Sequence, residues 1–250
     1  MASGSSGNAA FVAGGRTRLL IDAGLSVRDT AKRLDSIGEK LEALSAILIT
    51  HEHSDHVSGL VRLSKRLRIP IYMTRLTAPS IDWCETTPCL ELFQAGARFV
   101  VGDFEVDSFT IPHDAVDPVG FRLSAEGIRF AIATDLGYIT ESIRYQLRST
   151  ELMLLESNHD LEMLKVGPYP WSLKQRVMSR VGHLSNEVAC DFIAQDFDGS
   201  APALILGHLS EHNNHPEIVR LMGEQALAKR GLATRLVIAS QKQATEVFTY

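Results

Sequence analysis

The chain has 250 residues, of which 45% are hydrophobic and 22% charged, and its formal net charge is −5. These values are typical of a globular protein, and we expect residues 1–250 to form a single domain. They exclude a globally basic nucleic-acid binder, and no apolar run reaches the ~20 residues needed to span a bilayer. The three cysteines have no C-x-x-C spacing. This excludes a disulfide framework and a thiolate metal site, and we expect a cytoplasmic location.

Apolar runs and alternating patterns predict twelve strands with helices between them, which favours an α/β fold of two mixed sheets with helices on their outer faces. The predicted strands are Ala10–Ala13, Arg18–Asp22, Ala46–Ile49, Ile69–Met73, Arg98–Val101, Glu105–Ile111, Gly120–Leu123, Arg129–Ala133, Leu152–Leu155, Ala203–Leu206, Arg235–Ile238 and Glu246–Thr249. The predicted helices are Val27–Ile37, Val57–Leu67, Ile139–Leu147, Leu173–Arg180, Glu187–Phe197 and Pro216–Lys229. Asn214 and Glu217 resemble a capping box for the last helix.

The opening Ser3-Gly-Ser-Ser-Gly7 looks like a cloning scar, but it runs without a break into an apolar stretch. The backbone amides of Ser5, Ser6, Gly7 and Asn8 could bind a phosphate group. A simple tight turn explains these residues equally well. We treat Ser6, Gly7 and Asn8 as candidate substrate contacts.

The stretch T-H-E-H-S-D-H-V-S-G is the most informative in the chain, because three imidazoles and a carboxylate fall within six positions: His51, His53, Asp55 and His56. These ligands suit zinc, manganese or iron. In an extended chain His51 and His53 point the same way and can share one ion, which leaves Asp55 and His56 to face a second. A polar loop that holds three histidines by chance is the alternative, and it is disfavoured because the chain has only nine histidines.

Four predicted strands each end near a further candidate ligand, namely Asp22, His113, Asp135 and His208. A side chain at a strand end is held stiffly while loops admit substrate. Taken singly, His113 could cap a turn, Asp135 could cap a helix, and Asp22 could bind backbone amides. Together, and in this order, they extend the histidine loop into a site for two metal ions.

With these residues, nearly the whole chain resembles the metallo-β-lactamase superfamily, whose fold is an αββα sandwich. The resemblance implies two divalent metal ions per chain, with zinc, manganese or iron as candidates, and gives Asp22 a structural place beside them. It implies that one ion is held by His51, His53 and His113, that the other is held by Asp55, His56 and His208, and that Asp135 bridges them.

Further motifs are similar to the phosphodiesterase branch of this superfamily. Glu156 in L-L-E-S-N-H and His183 in G-H-L-S-N look like the paired acid and histidine of ribonuclease Z. The opening segment, P-H-D-A-x-D-P-x-G-F, and H-L-S-x-x-N-N resemble the YycJ/WalJ-type exonuclease group more closely. The last motif adds Asn213 and Asn214 as candidate substrate contacts.

The resemblance implies that Asp55 and Asp135 orient a metal-activated water, while His183, held by Glu156, donates a proton to the departing oxygen. His183 could instead be a helix-start residue, with Ser185 or Asn186 as the cap. Tyr169 and Trp171 could stack on a base, although core or lid packing explains them better.

Other polar residues have two interpretations. His159, His212 and His215 could touch substrate or face solvent. The basic residues of two predicted helices could contact phosphates or form a solvated face; these are Arg62, Lys65, Arg66 and Arg68, and Lys174, Arg176 and Arg180.

The sequence thus favours a metal-dependent phosphodiesterase acting on nucleic acid, with DNA as the expected substrate and exonuclease as the expected activity. The first alternative is a hydrolase for a small cyclic phosphodiester or thioester, which the net negative charge favours. The second is a regulatory binding module without turnover, which the complete set of seven ligands disfavours. The sequence does not determine the oligomeric state.

Overall fold

The computed structural model describes residues 1–250 and contains twelve strands and eight α-helices. The strands are β1 (Ala10–Gly14), β2 (Thr17–Ile21), β3 (Ala46–Leu48), β4 (Pro70–Thr74), β5 (Cys89–Phe93), β6 (Arg98–Val101), β7 (Phe104–Thr110), β8 (Val119–Ala125), β9 (Ile128–Ala133), β10 (Leu152–Glu156), β11 (Ala203–Gly207) and β12 (Arg235–Ile238). The helices are α1 (Val27–Asp35), α2 (Ser54–Val57), α3 (Leu60–Leu67), α4 (Glu141–Leu147), α5 (Leu161–Val166), α6 (Trp171–Val177), α7 (Asn186–Gln195) and α8 (Pro216–Lys229).

The strands form two mixed sheets, as predicted. The first has the order β1-β2-β3-β4-β5, with β1 antiparallel to β2 and the rest parallel. The second has the order β12-β11-β10-β9-β8-β7-β6, in which β9 to β12 are parallel and β6 to β9 antiparallel.

Three layers of apolar side chains hold the sheets and helices together. The inner layer joins the facing sides of both sheets, for example Leu48 and Ile132. Along β9 the neighbours of Ile132, Ala131 and Ala133, belong to a second layer beneath helices on the outer face, because successive strand side chains alternate sides. A third layer packs the other outer face. Each fully buried Leu or Ile stabilises the fold by ~1.5–3 kcal/mol, and the layers confirm the αββα sandwich.

Three local predictions are wrong, and two elements, β5 and α5, are absent from the predicted set. The segment Glu246–Thr249 forms no strand; it is anchored by side chains, such as the Tyr250 hydroxyl, which donates to the Glu151 carbonyl. Strand β5, with the sequence C-L-E-L-F, is a largely exposed strand at the edge of the first sheet. Helix α5, capped by Asp160, was not predicted because it is only six residues long.

The predicted helix Val57–Leu67 is split into α2 and α3 at Gly59, where a Cβ would lie 2.0 Å from the Leu25 carbonyl oxygen. The predicted capping box is also wrong, because the N-cap of α8 is His215, whose ring accepts from the Glu217 amide. None of the helices is long and apolar enough to cross a membrane.

Candidate metal centre

The candidate ligands meet at one edge of the sandwich, where strands from both sheets end. Asp22 follows β2, the histidine loop follows β3, His113 follows β7, Asp135 follows β9, and His208 follows β11. Parallel pairing places the ends of β9, β10 and β11 side by side. Asp22, Asp135 and His208 turn the chain with φ near 60°, a region that costs non-glycine residues energy and that is concentrated at functional sites.

The first group of side chains consists of His51, His53 and His113, whose ligand atoms all lie within 4.8 Å of one another. His53 Nδ1 lies 3.2 Å from His113 Nε2. The ring of His113 is oriented by its Nδ1, which lies 3.1 Å from the Gly182 carbonyl oxygen. His51 Nε2 is buried without a hydrogen-bond partner. Three imidazole nitrogens therefore lie close together, and that of His51 has no hydrogen-bond partner within the protein.

The second group consists of Asp55, His56 and His208. Asp55 Oδ2 lies 3.6 Å from His56 Nε2 and 3.5 Å from His208 Nε2. Both histidines are fully or almost fully buried. This set is the one that the resemblance assigns to a second ion.

Asp135 lies between the two groups. Its carboxylate oxygens are 3.3 Å from His56 Nε2, 3.4 Å from His208 Nε2 and 3.9 Å from His113 Nε2. The side chain is buried, and Oδ2 has no hydrogen-bond partner. A buried carboxylate without such partners is costly unless a cation offsets its charge.

Two carboxylates, those of Asp22 and Glu156, orient three histidine rings through contacts with their Nδ1 atoms. Asp22 Oδ2 lies 2.8 Å from His56 Nδ1, and its other oxygen accepts from the Thr50 amide. Glu156 Oε1 lies 2.7 Å from His208 Nδ1 and 2.9 Å from His183 Nδ1. Such contacts through Nδ1 fix the ring orientation and direct Nε2 of His56 and His208 toward Asp55 and Asp135. The contact between Glu156 and His208 was not anticipated, because a pair so distant in sequence leaves no local pattern.

The charge balance of the centre fits divalent cations. Four carboxylates, from Asp22, Asp55, Asp135 and Glu156, lie against its histidines. Burial lowers the pKa of His56, but the charges of Asp135 and Asp22 raise it to about 10. The carboxylates thus recruit positive charge, and imidazole with carboxylate is a donor set that suits zinc, manganese or iron.

The opening segment is part of this centre and not a detached scar. Ser3 is buried, and its hydroxyl accepts from the His208 amide. The Gly7 amide donates to Gly4, and the Asn8 amide to Asp55. The backbone amides of Gly7 and Asn8 are therefore engaged within the protein, and a substrate contact by these two residues stays a prediction. The Asn8 side-chain nitrogen instead lies 3.1 Å from Asp55 Oδ2 and 3.0 Å from His56 Nε2. Ser6 is exposed, and its role stays a prediction.

Close packing also fixes the histidine loop. A Cβ at Gly24 would lie 1.7 Å from the Asp55 carbonyl oxygen. Only glycine lets the two backbones approach in this way. The position of Asp55 therefore depends on Gly24, which has no functional side chain.

Among the other candidates, Asn214 is a structural residue, since its buried amide donates to Ser157, Asn158 and Asn186. Its predicted substrate contact stays a prediction. Asn213 is buried with Oδ1 unpartnered, and its role stays a prediction.

His183 is one-fifth exposed and lies 3.8 Å from Asp135 through Nδ1. Burial lowers its pKa, but the carboxylates of Glu156 and Asp135 together outweigh burial, and the net shift of the pKa is upward. Ser185, two residues later, is the N-cap of α7, so the helix-start interpretation also describes the geometry. His183 with Asp135, Glu156 and His208 forms a further cluster of potential ligands.

The remaining candidate residues differ in their exposure to solvent, which distinguishes between their two interpretations. His212 and His215 are exposed, whereas His159 is buried and does not face solvent. Trp171 is 63% exposed, which rules out core packing for it. Lys174 is buried and donates to the Lys165 carbonyl oxygen, so it belongs to neither a phosphate site nor a solvated face.

Comparison with known proteins identifies the family. The family description "Beta-lactamase superfamily domain" matches residues 17–208. The chain is 36% identical to "Exodeoxyribonuclease YycJ" of Bacillus anthracis, over 92% of this chain and 89% of that protein. It is 35% identical to "Exodeoxyribonuclease WalJ" of Streptococcus pneumoniae, over 93% of this chain and 88% of that protein.

The fold is also that of solved members. The crystal structure of the metallo-beta-lactamase fold protein YhfI from Bacillus subtilis superposes with a TM-score of 0.72 at 18% identity and covers 96% of this chain and 92% of that one. The chain is a metal-dependent hydrolase. This follows from the candidate metal ligands that lie together at the sheet edge and from the sequence identity to two exonucleases. By matched span, fold and sequence identity, the chain belongs to the β-lactamase superfamily.

Proposed function

We propose that this hydrolase is a DNA exonuclease that uses two divalent metal ions, and that residues 1–250 form one catalytic domain. The observation that carries the phosphodiester chemistry is the position of His183, held by Glu156 and next to Asp135. The identity of more than a third to two proteins named as exodeoxyribonucleases supports the choice of DNA.

The seven candidate ligands fit two ions in two sets that share Asp135. Bound ions would lower the pKa of water and offset negative charge on a phosphoryl oxygen. Asp55 and Asp135 would orient the attacking water as hydrogen-bond acceptors. The departing oxygen needs a proton, and the Nε2 of His183 would supply it, since its Nδ1 is engaged by Glu156.

The direct test is digestion of end-labelled single-stranded and recessed DNA in the presence of manganese. We expect mononucleotides as products and loss of activity after chelation. An Asp135→Asn preparation, purified in parallel, controls for contaminating nucleases. A metal-loaded protein that cleaves bis-p-nitrophenyl phosphate but not DNA would contradict the proposal. It would favour the small-substrate hydrolase instead.

Replacing His183 with alanine is expected to lower turnover on DNA by roughly 10²–10⁴-fold, the usual loss for a general acid. Metal content should be unchanged, because Glu156 would still orient His208. Metal analysis and kcat on the same preparation check both statements. His212→Ala, at an exposed histidine nearby, is the matched control. Loss of bound metal in the His183 variant would place His183 among the ligands.

A further inference from the structure

A cation without a carboxylate partner lies at the rim of the metal centre. The guanidinium of Arg180 packs over the ring of Tyr138, with 4.3 Å between its Cζ and the ring centroid. Arg180 is exposed, and it forms no salt bridge and donates no side-chain hydrogen bond in the structure. Arg176, one helical turn earlier, is instead neutralised by Asp114. The N–H groups of Arg180 are therefore free for an anionic ligand.

The backbone ties this arginine to the metal centre. Each of the three residues that follow Arg180 contacts the metal centre or a residue next to it. The Val181 carbonyl accepts from the Asp114 amide, and the Gly182 carbonyl lies 3.1 Å from His113 Nδ1. His183 Nδ1 lies within hydrogen-bond distance of Glu156. From the other side, a Cβ at Gly137 would lie 2.4 Å from the Arg180 backbone. Gly137 stands two residues after Asp135, so the contact fixes Arg180 and Tyr138 relative to the bridging carboxylate.

A cleft of about 440 Å³ begins at Tyr138, the residue on which Arg180 packs. It is lined by Pro112, which precedes His113, and by Tyr138, and it continues along α4. Hydroxyl and amide groups line it further on, from Thr110, Thr140, Ser142 and Gln146. None of its lining side chains is acidic, although the chain as a whole carries a net charge of −5.

We propose that Arg180, held on Tyr138, binds a backbone phosphate of the substrate strand, and that the strand beyond the cleaved bond runs along this cleft. The proposal rests on the proposed nuclease function. A guanidinium offers a planar set of N–H donors that matches a phosphate, and stacking on an aromatic ring keeps it in place before the substrate arrives. No acidic side chain of the cleft would repel the phosphates of such a strand, and its hydroxyl and amide groups can donate hydrogen bonds to them.

The test compares Arg180→Ala, Arg180→Lys and Tyr138→Leu with wild type on single-stranded DNA at several salt concentrations. We expect Arg180→Ala to raise KM about ten-fold with kcat nearly unchanged. The dependence of log KM on log salt concentration should become shallower by ~0.7, the value for one lost phosphate contact on a single strand. Arg180→Lys and Tyr138→Leu should show part of the effect, since each keeps a charge but loses the stacked geometry. Hydrolysis of bis-p-nitrophenyl phosphate, which is too small to reach the cleft, should not change.

Arg16→Ala is the matched control. Arg16 is also exposed and free of salt bridges, but it lies in the turn between β1 and β2, at the sheet edge opposite the metal centre. An Arg180→Ala protein with wild-type KM and salt dependence overturns the phosphate site while DNA digestion by wild type persists. A wild-type protein that does not digest DNA overturns the proposed function itself.

Discussion

Replacing Asp135 with asparagine is expected to lower hydrolysis by on the order of 10³-fold, which corresponds to about 4 kcal/mol of lost transition-state stabilisation. The carboxylate contacts imidazoles of both candidate ligand sets, so its charge is the one that both ions would share. Asparagine keeps the shape but presents an N–H₂ group toward one of these imidazoles. We therefore expect fewer than two ions per chain, measured by elemental analysis alongside turnover.

The control for this variant is Asp191→Asn, at an exposed carboxylate on α7. It removes one negative charge far from the candidate ligands and should leave metal content and rate unchanged. If Asp135→Asn retained two ions and full activity, the bridging assignment would be wrong.

The second large effect is expected at Glu156, which is fully buried and accepts four hydrogen bonds. Its Oε1 faces His183 and His208, and its Oε2 accepts from the amides of Leu136 and Leu184. In Glu156→Gln, either orientation of the amide places a donor against two donors. We expect the free energy of unfolding to fall by about 3 kcal/mol and activity to fall 10–100-fold.

This loss has a predicted pH dependence. Burial alone would raise the pKa of Glu156, but the charge of His183 and the hydrogen bonds from both histidines lower it from 4.5 to about 2. A carboxylate whose pKa is lowered by folding stabilises the protein fully above 4.5, and this contribution is lost as the pH falls toward 2. Denaturation by urea should therefore show that the difference in free energy of unfolding between wild type and Glu156→Gln narrows below pH 4.5. Glu162→Gln, at an exposed position, is the control, and a difference that does not narrow would contradict an ionised Glu156.

The sequence predicted the parts of the centre that follow from strand geometry. The loop from His51 to His56 and the residues Asp135 and His208 come directly after apolar runs, and strands in one sheet bring such ends together. Composition alone does not predict the metal centre, because the same nine histidines at other positions would not follow strand ends.

The parts that could not be predicted depend on long-range packing. Ser3 lies in the segment that resembles a cloning scar, and nothing local shows that it contacts His208 or that Asn8 contacts Asp55 and His56. Glu156 contacts both His183 and His208. The contact with His208 arises because β10 and β11 end side by side, and only the fold determines that arrangement. The segment Glu246–Thr249 has a strand-like pattern but finds no partner strand, since its side chains alone anchor it.

The central claim is that two divalent ions on this centre drive cleavage of DNA, and the most direct measurement is activity and metal content on one sample. Metal-free protein would be titrated with manganese or zinc while release of mononucleotides from end-labelled DNA is followed. We predict that activity appears with metal and saturates at two ions per chain. Full nuclease activity with one ion or none, or two bound ions without DNA cleavage, would contradict the claim.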